Sequence, residues 1–117
     1  MVNEKRKFLR APLSLAVKIR GGDGNDVDAF TGSLSAGGVF LETFNPFPVD
    51  QEITIEMHLP GGDDKTLLTG KVVWMRKGYI EEFPPGMGVK FINIVRKDQV
   101  KINNIVQKIL EGREEDF

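Results

Sequence analysis

The 117-residue chain has no cysteine, one histidine, one tryptophan and one tyrosine. Each scarcity closes a class of chemistry. Without Cys there are no disulfides and no thiolate zinc sites. A reducing compartment suits such a chain, and a cytoplasmic location is expected. The lone His58 sits in an alternating run on the face opposite Ile55, Met57 and Leu59, which reads as a solvent-facing strand residue and not as a catalytic base. A metal site would have to be built almost wholly of carboxylates, and the acids of "GDGND" lack the twelfth-position Glu of an EF-hand loop. Ser33 and Ser35 have no base nearby in sequence, so nucleophilic catalysis is not indicated. No stretch approaches the roughly 18 apolar residues of a membrane span. The segment from Ala11 to Val17 is broken by Pro12 and Ser14 and followed by Lys18 and Arg20, so it reads as a strand and not as an export signal. The expectation is a non-enzymatic protein with no metal and no cofactor.

What is present suits one globular domain. Apolar residues make up 40% and charged residues 28% of the chain, and this length can bury a core without crosslinks. The formal net charge of −1 hides a division. Residues 1–20 carry six basic side chains (Lys5, Arg6, Lys7, Arg10, Lys18, Arg20) against Glu4 alone, a net of +5. The other 97 residues carry ten bases and sixteen acids, a net of −6. A basic arm on an acidic body suits contact with an anion. On charge alone a solvated, frayed terminus is the favoured reading.

Glycine and proline fall in clusters: "GGDGND" at 21–26, "AGG" at 36–38, "NPFP" at 45–48, "PGGDD" at 60–64 and "PPGMG" at 84–88. Between them lie segments of strand composition. Leu13, Leu15, Val17 and Ile19 alternate with polar or small residues, as do Ile53, Ile55, Met57 and Leu59. Thr66 to Arg76, Val39 to Thr43, Gly88 to Ile94 and Val27 to Ser33 supply four more. Six short strands joined by tight turns predict a mainly β fold, a six-stranded antiparallel barrel. The "PGGDD" turn makes 52–59 and 65–76 a hairpin. The period then changes: Ile102, Ile105, Val106, Ile109 and Leu110 form one helical stripe. One C-terminal amphipathic α-helix is predicted, with Asp98 as N-cap and Gly112 as terminator. The expected organisation is a basic arm over 1–11, a barrel plus helix over 12–111, and a disordered acidic tail over 112–117.

Two constellations carry candidate chemistry. The first is "RKFLR", residues 6–10, kept extended or turn-like by Pro12. Arg6 and Arg10 each offer a planar fork that grips a phosphate, or the O6 and N7 acceptors of a guanine edge. Phe8 and Leu9 between them are placed to anchor the arm. The second is "SLSAGG", residues 33–38, whose glycines permit positive φ and close ligand approach. The alternative for this segment is a plain tight turn. Trp74 reads as core or a half-buried platform, with base stacking as the alternative.

Taken in order, the arm with RxxxR, a strand, a D/N-x-S-x-x-G-like turn, further strands, "GVKF" at 88–91 and a closing helix resemble the PilZ domain family. These are small split β-barrels that bind the bacterial second messenger cyclic di-GMP. The resemblance runs from about Arg6 to Leu110 and implies a stand-alone domain. It further implies that Arg6 and Arg10 contact phosphate and guanine groups of the ligand, usually a stacked pair of cyclic di-GMP molecules. Ser35 and Gly38 match the turn motif, with Lys5, Lys7, Gly37 and Gly88 as secondary binding candidates. Ser33 stands where the family has Asp or Asn. A single hydroxyl cannot accept from both N–H groups of a guanine edge, so weaker binding is expected.

Three functions follow for testing. The first is a cyclic di-GMP receptor whose arm changes conformation on binding and signals to a downstream protein controlling motility, polysaccharide or biofilm. The second is a PilZ-like protein–protein adaptor that binds the ligand weakly or not at all; the two arginines argue against it. The third is a single-stranded nucleic-acid binder, opposed by the acidic body and the scarcity of Trp and Tyr. No nucleic-acid polymer and no membrane span are expected as partners, and the expected state is a monomer or homodimer.

Overall fold

The computed structural model describes residues 8–22, 24, 26–62 and 64–115, the last three by backbone alone. It holds seven strands and one helix: β1 (Arg10–Pro12), β2 (Ala16–Arg20), β3 (Asp26–Ser35), β4 (Gly38–Glu42), β5 (Glu52–His58), β6 (Lys65–Arg76), β7 (Gly86–Phe91) and α1 (Arg96–Glu115). The sheet order is β1-β3-β2-β5-β6-β7-β4, and a further β3–β4 pairing closes it. Strands β2 to β7 therefore form the expected six-stranded antiparallel barrel. The short β1 is added beside the C-terminal half of β3.

That addition is a departure from the sequence reading. Leu13 to Ile19 alternates like one strand, yet the chain breaks at 13–15. Residues Ala16 to Arg20 pair with Phe30 to Asp26, whereas Arg10, Ala11 and Pro12 pair with Ser35, Leu34 and Ser33. The buried Thr31 spans the break. Its hydroxyl donates to the Leu13 carbonyl and accepts from the Leu15 amide at 2.9 Å, while its own amide donates to the Leu15 carbonyl at 2.9 Å. One threonine thus satisfies the backbone groups that a ladder would otherwise pair.

The barrel interior follows from period-two patterning. Ile53, Ile55, Met57 and Leu59 point inward with 2% exposure or less, and His58 faces out. Val39 and Leu41 of β4, Val72 of β6, and Met87 and Val89 of β7 complete the same core. Truncating one of these, Leu41→Ala for instance, costs about 2–5 kcal/mol. Helix α1 packs on β1 and β3 and buries Ile102 and Val106 completely. The hairpin predicted around "PGGDD" is present, with His58 opposite Lys65 and Gly61 at φ +81° in the turn.

The helix boundaries differ from expectation at both ends. The Val95 carbonyl accepts from the amides of Asp98 and Gln99, so the helix starts at Arg96 and Asp98 lies inside its first turn. A carboxylate there still faces the positive end of the helix dipole. Gly112 does not end the helix, which runs on to Glu115; glycine weakens a helix by about 1 kcal/mol but does not forbid it.

Exposed ion pairs decorate the outside. Across β2 and β3, Arg20 Nε and Nη2 reach Asp26 Oδ1 and Oδ2 at 2.9 and 3.3 Å. The hydrogen bond holds the Asp26 carboxyl below the usual carboxylate range and raises the Arg20 guanidinium further.

Candidate functional site

Two β-bulges shape one outer patch of the barrel. In β3, the ladder with β4 slips between Thr31 and Ser33, so Gly32 is the extra residue. In β6, the ladder with β7 slips between Val72 and Trp74, so Val73 is extra. Inward positions that should be two apart are three apart, Thr31 to Leu34 and Val72 to Met75. Ser33 and Trp74, which simple alternation from Thr31 and Val72 would turn inward, face outward instead. Bulges re-aim side chains in this way near functional sites.

The register then lines up an outer row. Pro12 pairs with Ser33, Ser33 with Phe40, Phe40 with Gly88, and Gly88 with Trp74. In the next row Glu42 pairs with Gly86, and Gly86 with Arg76. The glycines of β7 leave a trough between the larger residues. A Cβ on Gly88 would lie 2.1 Å from Trp74 Nε1, and one on Gly86 would lie 2.7 Å from Phe40 Cζ. The Phe40 and Trp74 rings stack in that trough, with centroids 5.3 Å apart and planes 12° from parallel.

Arg76 joins the rings. Its guanidinium carbon lies 5.4 Å from the Phe40 centroid, 5.3 Å from Trp74 and 5.8 Å from Phe83. Arg76 Nε donates to the Pro84 carbonyl at 2.7 Å, which fixes the plane of the fork. Among the described residues this is its only hydrogen bond, leaving the terminal amino groups with their N–H donors.

These features border a groove of about 750 Å³. Arg10, Ser33, Gly37 and Gly38 line one part of it; Phe40, Glu42, Trp74, Arg76 and Phe83 line another, with Gly88 beneath. Arg10 Nη1 donates to Ser33 Oγ at 2.9 Å. The structure therefore brings together Arg10, Ser33, Gly37, Gly38 and Gly88 from the candidates named on sequence. Arg6, Lys5 and Lys7 lie outside the described residues. Ser35 takes a different place: it is 5% exposed, and its hydroxyl accepts from the Gly37 and Gly38 amides and donates to the Gly38 carbonyl. It closes the turn from within.

Two glycines have a reason other than the one read from sequence. Neither Gly37 nor Gly38 adopts positive φ. Gly38 is required because a Cβ there would lie 2.4 Å from the Val89 carbonyl oxygen. The space beside Gly88 is filled by the Trp74 ring. Phe8 packs against the core, while Leu9 is exposed.

Glu42, Arg76 and Phe83 escaped the sequence reading. Only the bulge at Val73 brings Trp74 and Arg76 to one face with Phe40, and a bulge leaves no composition signal. Among the described residues no three His, Asp or Glu side chains cluster to hold a metal, and no helix is long and apolar enough to cross a membrane.

The PilZ domain family description matches residues 4–108 of the chain. No curated protein sequence matches it. Among solved structures it is similar to the inhibitor of motility MotI (DgrA) of Bacillus subtilis, with a TM-score of 0.78 at 16% identity over 95% of this chain and 54% of that one. It is similar to the PilZ domain of Escherichia coli YcgR with c-di-GMP, with a TM-score of 0.69 at 19% identity over 97% of each chain. It also resembles MrkH of K. pneumonia, in complex with c-di-GMP, with a TM-score of 0.75 at 15% identity over 99% of this chain and 57% of that one. The chain thus spans little more than half the length of MotI and MrkH, and at these identities the likeness is one of fold. With the family match running across nearly its whole length, the chain belongs to the PilZ domain family, whose members are regulatory binding domains.

Proposed function

We propose that this protein is a cyclic di-GMP receptor without enzymatic activity. The convergence of Arg10, Ser33, Gly37 and Gly38 on one groove of a PilZ domain carries the reading. An arginine fork matches both groups such a ligand offers, the phosphate oxygens and the guanine O6 and N7 acceptors. Arg6, four residues earlier, supplies a second fork, and Lys5 and Lys7 add positive charge for a dianion. Ser35 serves the site indirectly by holding the turn. Ligand gripped by Arg6 and Arg10 changes the conformation of the arm, and with it the surface offered to a downstream protein. The equilibrium moves by as much as the ligand's affinities for the two arrangements differ. MotI, an inhibitor of motility, and the c-di-GMP complexes of YcgR and MrkH favour an output in motility or biofilm control. The cytoplasm is the proposed location.

A second reading, a protein–protein adaptor with weak or no ligand binding, draws support from one observation. Ser33 replaces the family's Asp or Asn, and its oxygen already accepts from Arg10.

Calorimetry with cyclic di-GMP separates the two. The wild type is expected to bind, and Arg10→Ala to lose at least about a hundredfold in affinity, because two charge-assisted hydrogen bonds are worth about 1.5–3 kcal/mol each. No heat at high micromolar ligand overturns the receptor in favour of the adaptor. Affinity for oligonucleotides falling steeply with salt would favour nucleic acid instead.

A further inference from the structure

The groove has more chemistry than its arginine–serine side uses. Glu42 lies one row beyond Phe40 on β4, about 7 Å along the strand, and lines the groove with Trp74 and Arg76. Among the described residues its carboxylate has no hydrogen-bond or ion-pair partner. A carboxylate beside a stacked aromatic pair presents two acceptors next to a flat apolar surface. Guanine is a flat base with two adjacent donors on one edge, N1–H and the N2 amino group. Adenine, by contrast, offers an acceptor at N1.

Resting on the receptor reading above, we propose that Glu42, Trp74 and Arg76 form a second, guanine-selective half-site in the same groove. One base of the ligand stacks on the Trp74 ring, which is 44% exposed and fixed from behind by Phe40. Glu42 accepts from N1–H and the N2 amino group of that base. The terminal amino groups of Arg76, whose plane is set by Pro84, donate to the adjoining phosphate. Glu42 thereby supplies the paired acceptor that Ser33 lacks, from a strand on the other side of Gly32. Gly32 keeps this side open: a Cβ there would lie 2.8 Å from Glu42 Oε2.

Trp74 is the sole tryptophan, so its fluorescence reports on this half-site alone. The experiment titrates cyclic di-GMP, and its inosine analogue lacking the N2 amino groups, into wild type, Glu42→Gln, Trp74→Ala, Trp74→Phe and Arg10→Ala, following both heat and emission. Expected are a change in wild-type emission on binding and a loss of about tenfold in Trp74→Ala, most of it recovered in Trp74→Phe because a ring is restored. Glu42→Gln is expected to weaken cyclic di-GMP about tenfold and to abolish the wild-type preference for it over the inosine analogue. Arg10-dependent binding with Glu42→Gln and Trp74→Ala within twofold of wild type overturns the half-site and leaves the receptor standing. So does a wild type that binds both ligands equally. Absence of cyclic di-GMP binding altogether overturns both.

Discussion

The two sides of the groove are built on different principles. On the Arg10 side, one flexible-stemmed guanidinium meets one hydroxyl, and the backbone turn behind it is closed by Ser35. On the Trp74 side, two stacked rings pack over the β7 backbone, where Gly86 and Gly88 leave them room. The first side depends on side-chain hydrogen bonds that any ligand must share or displace. The second is a preformed aromatic surface that a ligand shares with the Arg76 guanidinium already over it. Preorganised surfaces give affinity without an ordering cost, whereas polar contacts give discrimination.

The largest intrusion on this contrast is Gly88→Ala. The added methyl would meet the Trp74 indole, and the stack with Phe40 has to open. A loss of about 1–3 kcal/mol in stability is expected, read by denaturant unfolding, together with a shift in Trp74 emission in the free protein. The Arg10–Ser33 side carries no such dependence. Unchanged emission would mean that the rings are not held by β7.

Ser33→Asn acts on the other side. A side-chain amide restores a longer acceptor in place of the hydroxyl, and cyclic di-GMP affinity is expected to rise about tenfold, or about 1.4 kcal/mol, by calorimetry. Unchanged affinity would show that Ser33 serves only to hold Arg10.

The smallest effect comes from a control remote from the groove, Asp26→Asn. Arg20 holds the Asp26 carboxyl below its ordinary range. The folded form is therefore favoured at pH above the unfolded carboxylate's pKa of about 3.9, and that stabilisation is lost as pH falls through the lower folded value. Asp26→Asn is expected to remove this small component from an acid-unfolding curve while leaving ligand affinity at pH 7 untouched.

The same contrast explains what the sequence could and could not reveal. The barrel, the β5–β6 hairpin and the helical stripe rest on local periodicity, which is written residue by residue. The Arg10 side is a motif with spacing, legible as Arg10, Ser33 and Gly38. The Trp74 side depends on the two bulges, where a single extra residue changes which face a side chain takes. Counting by twos from Val72 sends Trp74 into the core. "PPGMG" likewise reads as punctuation before a strand that begins at Gly88, yet β7 begins at Gly86, and the neighbours that demand glycine at 86 and 88 are on β4 and β6. The break at Leu13–Leu15 was hidden for a related reason: its partner, Thr31, is sixteen residues or more away in sequence.

That break has a consequence for motion. Strand β1 is three residues long and separated from β2, and it carries Arg10. Its attachments include its ladder to β3, the Arg10–Ser33 hydrogen bond, the burial of Ala11, the helix laid across it and the Thr31 bridge just beyond it. Opening such a segment exposes far less surface than unfolding the barrel, so it is a low-lying excursion of the native state. A ligand tied to Arg10 raises the free energy of that excursion by mass action, in proportion to the logarithm of its concentration over its dissociation constant. On the receptor reading proposed above, occupancy of the groove lengthens the lifetime of one short strand on which α1 also packs.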